Sequence, residues 1–134
     1  MKLDLKELLN KLTQSNGVML FDNDNQSMSG AITLSESASN FDRLTICFKS
    51  NDGDYGSQDV CHPDGKKVSL MCDRVAEDSA HWHWIKAKTV QVNGTQIDTI
   101  GSTYYATGQV SLSSGVTLYY GDYIAITQVI GYKN

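Results

Sequence analysis

Apolar and polar residues alternate along most of this chain, a pattern that predicts β-strands. Residues 41–50 (FDRLTICFKS) show it clearly, with apolar residues mainly two positions apart. The other predicted strands are residues 18–22, 28–34, 57–61 (an edge strand), 66–73, 82–92, 95–100, 102–112, 116–120 and 122–133. Strands that recur about every 10–12 residues with turns between them predict an antiparallel sandwich or barrel.

Two short polar segments mark where neighbouring strands turn. Pro63-Asp64-Gly65 is a strong turn signal before the strand at 66–73. Asn93-Gly94 predicts a tight hairpin into residues 95–100. In residues 123–130 of the last strand, both alternating faces are largely apolar. We therefore expect this strand to be central in its sheet and covered on both sides, either by its own partner sheet or by a neighbouring subunit.

Only residues 3–13 (LDLKELLNKLT) carry a helical pattern. Leu5, Leu8 and Leu12 lie three and four positions apart and therefore form one row on a helix. This row packs either against the chain's own domain or along the axis of a longer oligomeric stalk. Fewer than two heptads cannot hold a coiled coil by themselves.

Charge and composition narrow the classes of partner. The 134 residues contain 11 Lys and Arg against 15 Asp and Glu, which gives a net charge of −4. Apart from Lys66-Lys67 and the pair Lys86 and Lys88, the cations are scattered, so there is no basic stripe for nucleic acid or for a membrane surface. No apolar run approaches the roughly 18 residues of a membrane span, and the first residues lack a signal-peptide core. We expect a soluble chain made in a cytosol.

The segment His81-Trp82-His83-Trp84 is the most unusual in the chain. Side chains two apart share a face of a strand, so both histidines would face one way and both tryptophans the other. One interpretation is structural, with the tryptophans in the core or an interface and the histidines in solvent. Another is that His81 and His83 bind metal: two ligands are too few for a closed zinc site, but a threefold oligomer would supply six to an octahedral ion. A third is that the tryptophans stack on a ligand.

Tyrosines are concentrated near the C-terminus, including two adjacent pairs in which we expect one ring to face inwards and one outwards. Flat apolar rings with a polar handle suit sugar rings and protein interfaces, although cross-strand pairing within a sheet is the alternative. The candidate ligand-binding residues are Trp82, Trp84, Tyr104, Tyr105, Tyr119 and Tyr120.

The cysteines, the acidic loops and the remaining polar residues show no catalytic motif. Cys47, Cys61 and Cys72 are odd in number and lack CxxC spacing, so we expect free thiols, with the first and third buried. The oxygen-rich loops at 22–26 and 52–54 lack the spacing of an EF-hand and suit ordinary turns. No GxSxG, HExxH, P-loop or GxGxxG motif occurs. We therefore expect a binding protein rather than an enzyme, with no cofactor other than the metal considered above.

Three stretches share their pattern with a known domain: ITLSESASNFDRLTICFKSNDG at 32–53, KAKTVQVNGTQI at 86–97 and YIAITQVIGYKN at 123–134. Together they resemble the C-terminal, distal domain of bacteriophage tail-fibre and baseplate receptor-binding proteins. Related tail tips hold metal with histidine pairs on a threefold axis, which keeps His81 and His83 as candidate ligands.

The resemblance implies an architecture and a function. Residues 1–16 would be a helix left from a stalk or shoulder at a trimer axis, and residues 17–134 a jelly-roll-like antiparallel β-sandwich of the all-β class. The chain would then be a homotrimeric virion module, made in the bacterial cytoplasm, that contacts other tail proteins and recognises a host cell-surface glycan or another envelope component. Two other classes stay open: a small polysaccharide-degrading or esterase-like tail enzyme, and a purely structural fibre or neck module.

Overall fold

The computed structural model describes residues 4–9, 17–25, 30–75, 83–100, 107–112 and 116–133. Residues 5–9 are helical, and a 3-10 turn spans Ala38–Asn40. The strands of the described residues are β1 (Val18–Asp22), β2 (Ile32–Thr33), β3 (Arg43–Ser50), β4 (Tyr55–Cys61), β5 (Lys67–Val75), β6 (His83–Asn93), β7 (Gln96–Thr99), β8 (Thr107–Leu112), β9 (Val116–Tyr119) and β10 (Ile124–Tyr132).

These strands form two antiparallel sheets. Sheet A has the order β1-β10-β3-β4. In sheet B, β6 pairs with β5 along one edge and with β7 and β8, one after the other, along the opposite edge. The sheet continues from β7 to β2 and from β8 to β9. Because β6 is long enough to pair with three strands, it is the central strand of sheet B.

One core lies between the sheets and confirms the predicted all-β sandwich. The inward residues of β3 alternate with outward ones, so that Leu44, Ile46 and Phe48 are buried while the residues between them are half-buried. Val90 and Val92 approach them from sheet B as members of the same apolar cluster. Burial of each such side chain contributes about 1.5–3 kcal/mol, so this layer supplies much of the stability of the fold.

Several local predictions are confirmed. The chain turns at Gly94, whose φ is +60°, between the end of β6 and the start of β7. Strand β4 lies at the edge of sheet A, and β10 is central between β1 and β3. Residues 124–127 of β10 are all buried. Of the strand expected over 28–34, residues 28 and 29 lie outside the described residues, and within residues 30–34 only Ile32–Thr33 is a strand, paired with β7.

The N-terminal helix is described for residues 5–9 only. Leu5 and Leu8 of the predicted leucine row are exposed there, and Leu12 lies outside the described residues. No helix in the described part of the chain is long and apolar enough to cross a membrane.

Candidate functional site

The inner face of sheet B changes from apolar to polar along β6. Val90 and Val92 belong to the core, but the two preceding inward positions are Lys88 and Lys86. These lysines are only 4% and 3% exposed. Trp84 continues the same row and is half-buried. Because a buried ammonium is costly unless it is paired, this part of the sheet requires acidic partners.

Strand register places further polar and aromatic side chains on this face. Arg74 and Ser111 pair directly with Trp84 from the two neighbouring strands. Residues that pair directly across antiparallel strands share a face of the sheet. Gln109 pairs with Lys86, and Tyr119 pairs in turn with Gln109. We call this region the polar end of sheet B; it comprises Arg74, Trp84, Lys86, Gln109, Ser111 and Tyr119.

Two of the predicted ligand-binding aromatics meet at the polar end. The ring centroids of Trp84 and Tyr119 are 6.5 Å apart, and their planes are inclined by 31°. This spacing lies in the range of favourable aromatic pairs. Tyr119 is the member of the Tyr119-Tyr120 dipeptide that lies on the inner face of sheet B. It is nevertheless 43% exposed, because β9 is an edge strand. Tyr120 follows it and is also exposed.

The ammonium of Lys86 is held by the loop that joins β3 to β4. It donates to the carboxylate of Asp52 and, at 2.8 Å, to Oδ1 of Asn51. Arg74 lies 3.9 Å from the Asp52 carboxylate and 3.8 Å from that of Asp54. The positive charges of Lys86 and Arg74 are therefore balanced by the carboxylates of Asp52 and Asp54, which the loop holds against the polar end.

Local sequence explains the shape of this loop. The buried hydroxyl of Ser50 accepts hydrogen bonds from the backbone N–H groups of Asp52 and Asp54, at 3.2 and 3.3 Å. Gly53 has a φ of +88°, which other residues rarely adopt. The predicted interpretation of residues 52–54 as turn chemistry is thus confirmed, and the turn holds both carboxylates near the cations of sheet B.

A second ion pair anchors the segment that precedes β10. Lys88 donates to both carboxylate oxygens of Asp122, each at 3.1 Å, and to the carbonyl oxygen of Ile124 at 3.3 Å. The Asp122 side chain is only 16% exposed. Each buried lysine of β6 therefore fastens a different connecting segment of the sandwich.

Ser111 contributes an unusual hydroxyl to the polar end. The residue is 1% exposed, and its Oγ has no hydrogen-bond partner within the described part of the chain. A buried polar group without a partner costs about 1–3 kcal/mol. Because Ser111 pairs directly with Trp84, this hydroxyl lies buried beneath the aromatic pair.

The three cysteines are free, as predicted. Cys72 is buried and Cys61 exposed, whereas Cys47 is half-buried rather than buried. Burial, and secondly the charge of Asp54, raise the pKa of Cys72, although Lys86 acts in the opposite direction. Burial also raises the pKa of Cys47, with a smaller contribution from Asp59. Neither environment favours a reactive thiolate.

The other predicted site residues are not brought into this site by the described structure. His81, Trp82, Tyr104 and Tyr105 lie outside the described residues, and His83 is the first residue of β6. Among the residues described, no group of three or more His, Cys, Asp or Glu side chains is placed to hold a metal ion. Metal binding by the two histidines therefore stays a prediction.

The buried lysines are the functional surprise that sequence reasoning missed. In the sequence, Lys86 and Lys88 stand out only as a pair among scattered cations, yet they are in phase with Val90 and Val92 in the two-residue period of β6. That shared phase was the available signal. Comparison of the chain with protein-family models, with curated proteins and with solved structures finds no match. Function is therefore inferred from the residues, their geometry and the sequence resemblance.

Proposed function

We propose that this chain is a non-catalytic binding module that recognises a saccharide on a host cell surface, as the receptor-binding domain of a bacteriophage tail. The observation that carries the proposal is the pair formed by Trp84 and Tyr119, which is partly open to solvent. A sugar ring has an apolar face that packs on aromatic rings and hydroxyls that need hydrogen bonds. The polar end of sheet B offers both kinds of contact.

The groups around the aromatic pair suit a ligand without strong charge. The half-buried Gln109, which pairs directly with Tyr119, carries an amide that both donates and accepts hydrogen bonds. The nearby cations Arg74 and Lys86 already interact with carboxylates. Because these charges balance, the site lacks the surplus positive charge that would favour an anionic ligand.

A role in binding also fits the state of the acidic residues near the site. Asp52 and Asp122 pair with Lys86 and Lys88, and Asp54 lies beside Arg74. A glycosidase needs two carboxyl groups that flank the scissile bond and exchange a proton with it. Carboxylates that serve as partners of buried lysines are poorly suited to this task.

The placement on a phage tail is supported by the sequence resemblance and by two features of the fold. The head is an antiparallel β-sandwich, and Leu5 and Leu8 of the preceding helix are exposed in the single chain. In a trimer these leucines would pack at the threefold axis. Three copies per tail tip, and several tips per virion, would compensate for weak binding at each site.

Substitution of the two aromatic residues tests the proposal. We expect Trp84→Ala and Tyr119→Ala each to weaken binding of the purified chain to an array of host-wall saccharides by about tenfold, which corresponds to the loss of one aromatic contact. Tyr55→Ala is the matched control, because Tyr55 is an exposed tyrosine on β4 of the other sheet. Thermal unfolding of each variant separates loss of contact from loss of fold.

Two results would contradict the proposal. Unchanged binding by the folded Tyr119→Ala variant would show that the aromatic pair does not contact the saccharide. Release of reducing sugar from host-wall preparations by the unaltered chain, abolished by a single Asp or Glu substitution, would show an enzyme instead. Light scattering at micromolar concentration tests the trimer separately, since a monomer would exclude the arrangement around the leucines.

A further inference from the structure

The opposite, outer face of sheet B contains a polar cavity. At the β6–β7 hairpin, Gln91 pairs with Asp98 and Asn93 pairs with Gln96. These residues alternate with the core residues of the two strands, so they face away from sheet A. Together with Thr95 in the turn they line an open cavity of about 560 Å³. This volume lies within the range of small-molecule binding sites.

The backbone beneath the cavity is held on several sides. The N–H of Gly94 donates to Oδ1 of Asp64 at 2.8 Å, and its carbonyl accepts from the N–H of Ala38 at 2.8 Å. The carbonyl of Thr95 accepts from the N–H of Leu34 at 2.7 Å. A hairpin fixed in this way presents its outward side chains from a preformed surface, which lowers the entropy cost of binding.

The hydrogen-bonding capacity of these outward side chains is largely unused. Asn93 and Gln96 are exposed and make no side-chain hydrogen bond within the described part of the chain. The amide of Gln91 has one long contact, 3.4 Å from its Nε2 to the carbonyl oxygen of Gly65. Oδ1 of Asp98 accepts from the backbone N–H of Thr99 at 2.8 Å, which leaves Oδ2 available.

The composition of the lining indicates the class of ligand. An amide group both donates and accepts hydrogen bonds, as a hydroxyl does, so rows of amides match a ligand that carries several hydroxyls. The described lining residues include no lysine, arginine or histidine that would attract an anion, and no aromatic ring on which a planar group would stack.

We propose that this cavity binds a neutral, polyhydroxylated ligand, such as one unit of a saccharide, through Gln91, Asn93, Gln96 and Asp98. The site lies on the face of sheet B opposite to Trp84 and Tyr119. It does not depend on the proposed function, because a chain that bound nothing at the aromatic pair would still present these side chains.

The experiment is an NMR titration of the isotope-labelled full chain with glucose, galactose and N-acetylglucosamine, and with glucuronate as an anionic comparator. We expect shifts of the backbone amides of residues 91–98 with at least one neutral sugar and weaker shifts with glucuronate. The double variant Asn93→Ala/Gln96→Ala should raise the dissociation constant about tenfold, because each lost hydrogen bond accounts for a factor of a few. Gln58→Ala on β4 removes another exposed glutamine, from the other sheet, and should change nothing.

Trp84→Ala distinguishes this site from the aromatic pair. Shifts at residues 91–98 that persist in Trp84→Ala support an independent site, and shifts lost in that variant overturn it. Shifts confined to Trp84, Tyr119 and their neighbours would support the proposed function and refute this second site. The proposal is equally refuted if none of the three neutral sugars shifts residues 91–98, if glucuronate binds there more tightly, or if the double variant binds as the unaltered chain does.

Discussion

Removal of the charge of Asp122 should destabilise the fold far more than removal of the charge of Asp59. Both aspartates pair with a cation at almost the same distance, 3.1 Å for Lys88–Asp122 and 3.2 Å for Arg43–Asp59. They differ in burial: Lys88 and Asp122 are 4% and 16% exposed, whereas Arg43 and Asp59 are 36% and 54% exposed. The substitutions Asp122→Asn and Asp59→Asn keep the side-chain shape, remove the charge and replace one acceptor oxygen with an NH2 donor in each residue.

The expected magnitudes follow from these exposures. Asp122→Asn leaves the Lys88 ammonium buried without its carboxylate, which costs about 3 kcal/mol, at the lower end of the range for broken buried pairs because the carbonyl of Ile124 still accepts. Asp59→Asn breaks a solvated pair and should cost about 0.2–1 kcal/mol. A domain of ordinary stability, about 5–15 kcal/mol, would remain folded in both variants.

Urea unfolding at neutral pH, followed by circular dichroism, measures both free energies. The single variant Lys88→Met and the double variant Lys88→Met/Asp122→Asn complete a thermodynamic cycle, because the double variant removes the unpaired ammonium together with its partner. We expect the double variant to recover most of the stability that Asp122→Asn loses.

The reasoning is refuted if Asp122→Asn and Asp59→Asn cost the same, since burial would then not determine the value of the pair. It is also refuted if the loss of stability in the double variant equals the sum of the losses in Lys88→Met and Asp122→Asn, because the penalty would then not come from an unpaired buried charge.

Three further predictions concern the thiols and one glycine. In the native chain, a maleimide should label the exposed Cys61 first. Cys47 and Cys72, whose pKa values are raised by burial, should react slowly until urea unfolds the chain. Mass spectrometry of the labelled peptides measures the order of reaction. The same raised pKa values should make the free energy of unfolding fall as pH rises above about 9.0, where the unfolded thiols ionise and the folded ones do not. Urea midpoints at pH 7 and pH 10 measure this fall. A Cys47→Ala/Cys72→Ala variant should lose less stability between the two pH values. Gly131→Ala should cost about 1–3 kcal/mol in urea unfolding, because the new Cβ would lie 2.6 Å from the Phe41 ring.

Local features of this fold could be predicted from sequence because they depend on residues close together in the chain. Alternation predicted β3 and β6, and the turn residues around Gly65 and Gly94 predicted where the chain reverses, since both have a positive φ. The largely apolar faces of the last strand predicted the central position of β10.

Long-range features could not be predicted in this way. Nothing near β6 indicates that two strands would share one of its edges, because that arrangement depends on strand register across the whole sheet. The contact of Trp84 with Tyr119 likewise depends on β8 lying between their strands. The partners of Lys86 and Lys88 are about 34 positions away in sequence and belong to two different connecting segments.

The two buried lysines also affect how this sequence can vary. Apolar side chains from two sheets pack acceptably in more than one alignment, whereas an ammonium must meet its carboxylate at a defined point. Lys86–Asp52 and Lys88–Asp122 are satisfied together in only one alignment of the sheets. A substitution at one position of either pair therefore leaves the other residue buried without a partner. We expect both residues of a pair to be substituted together in related chains. Covariation of position 52 with 86, and of position 122 with 88, is therefore the pattern that this alignment of the sheets predicts.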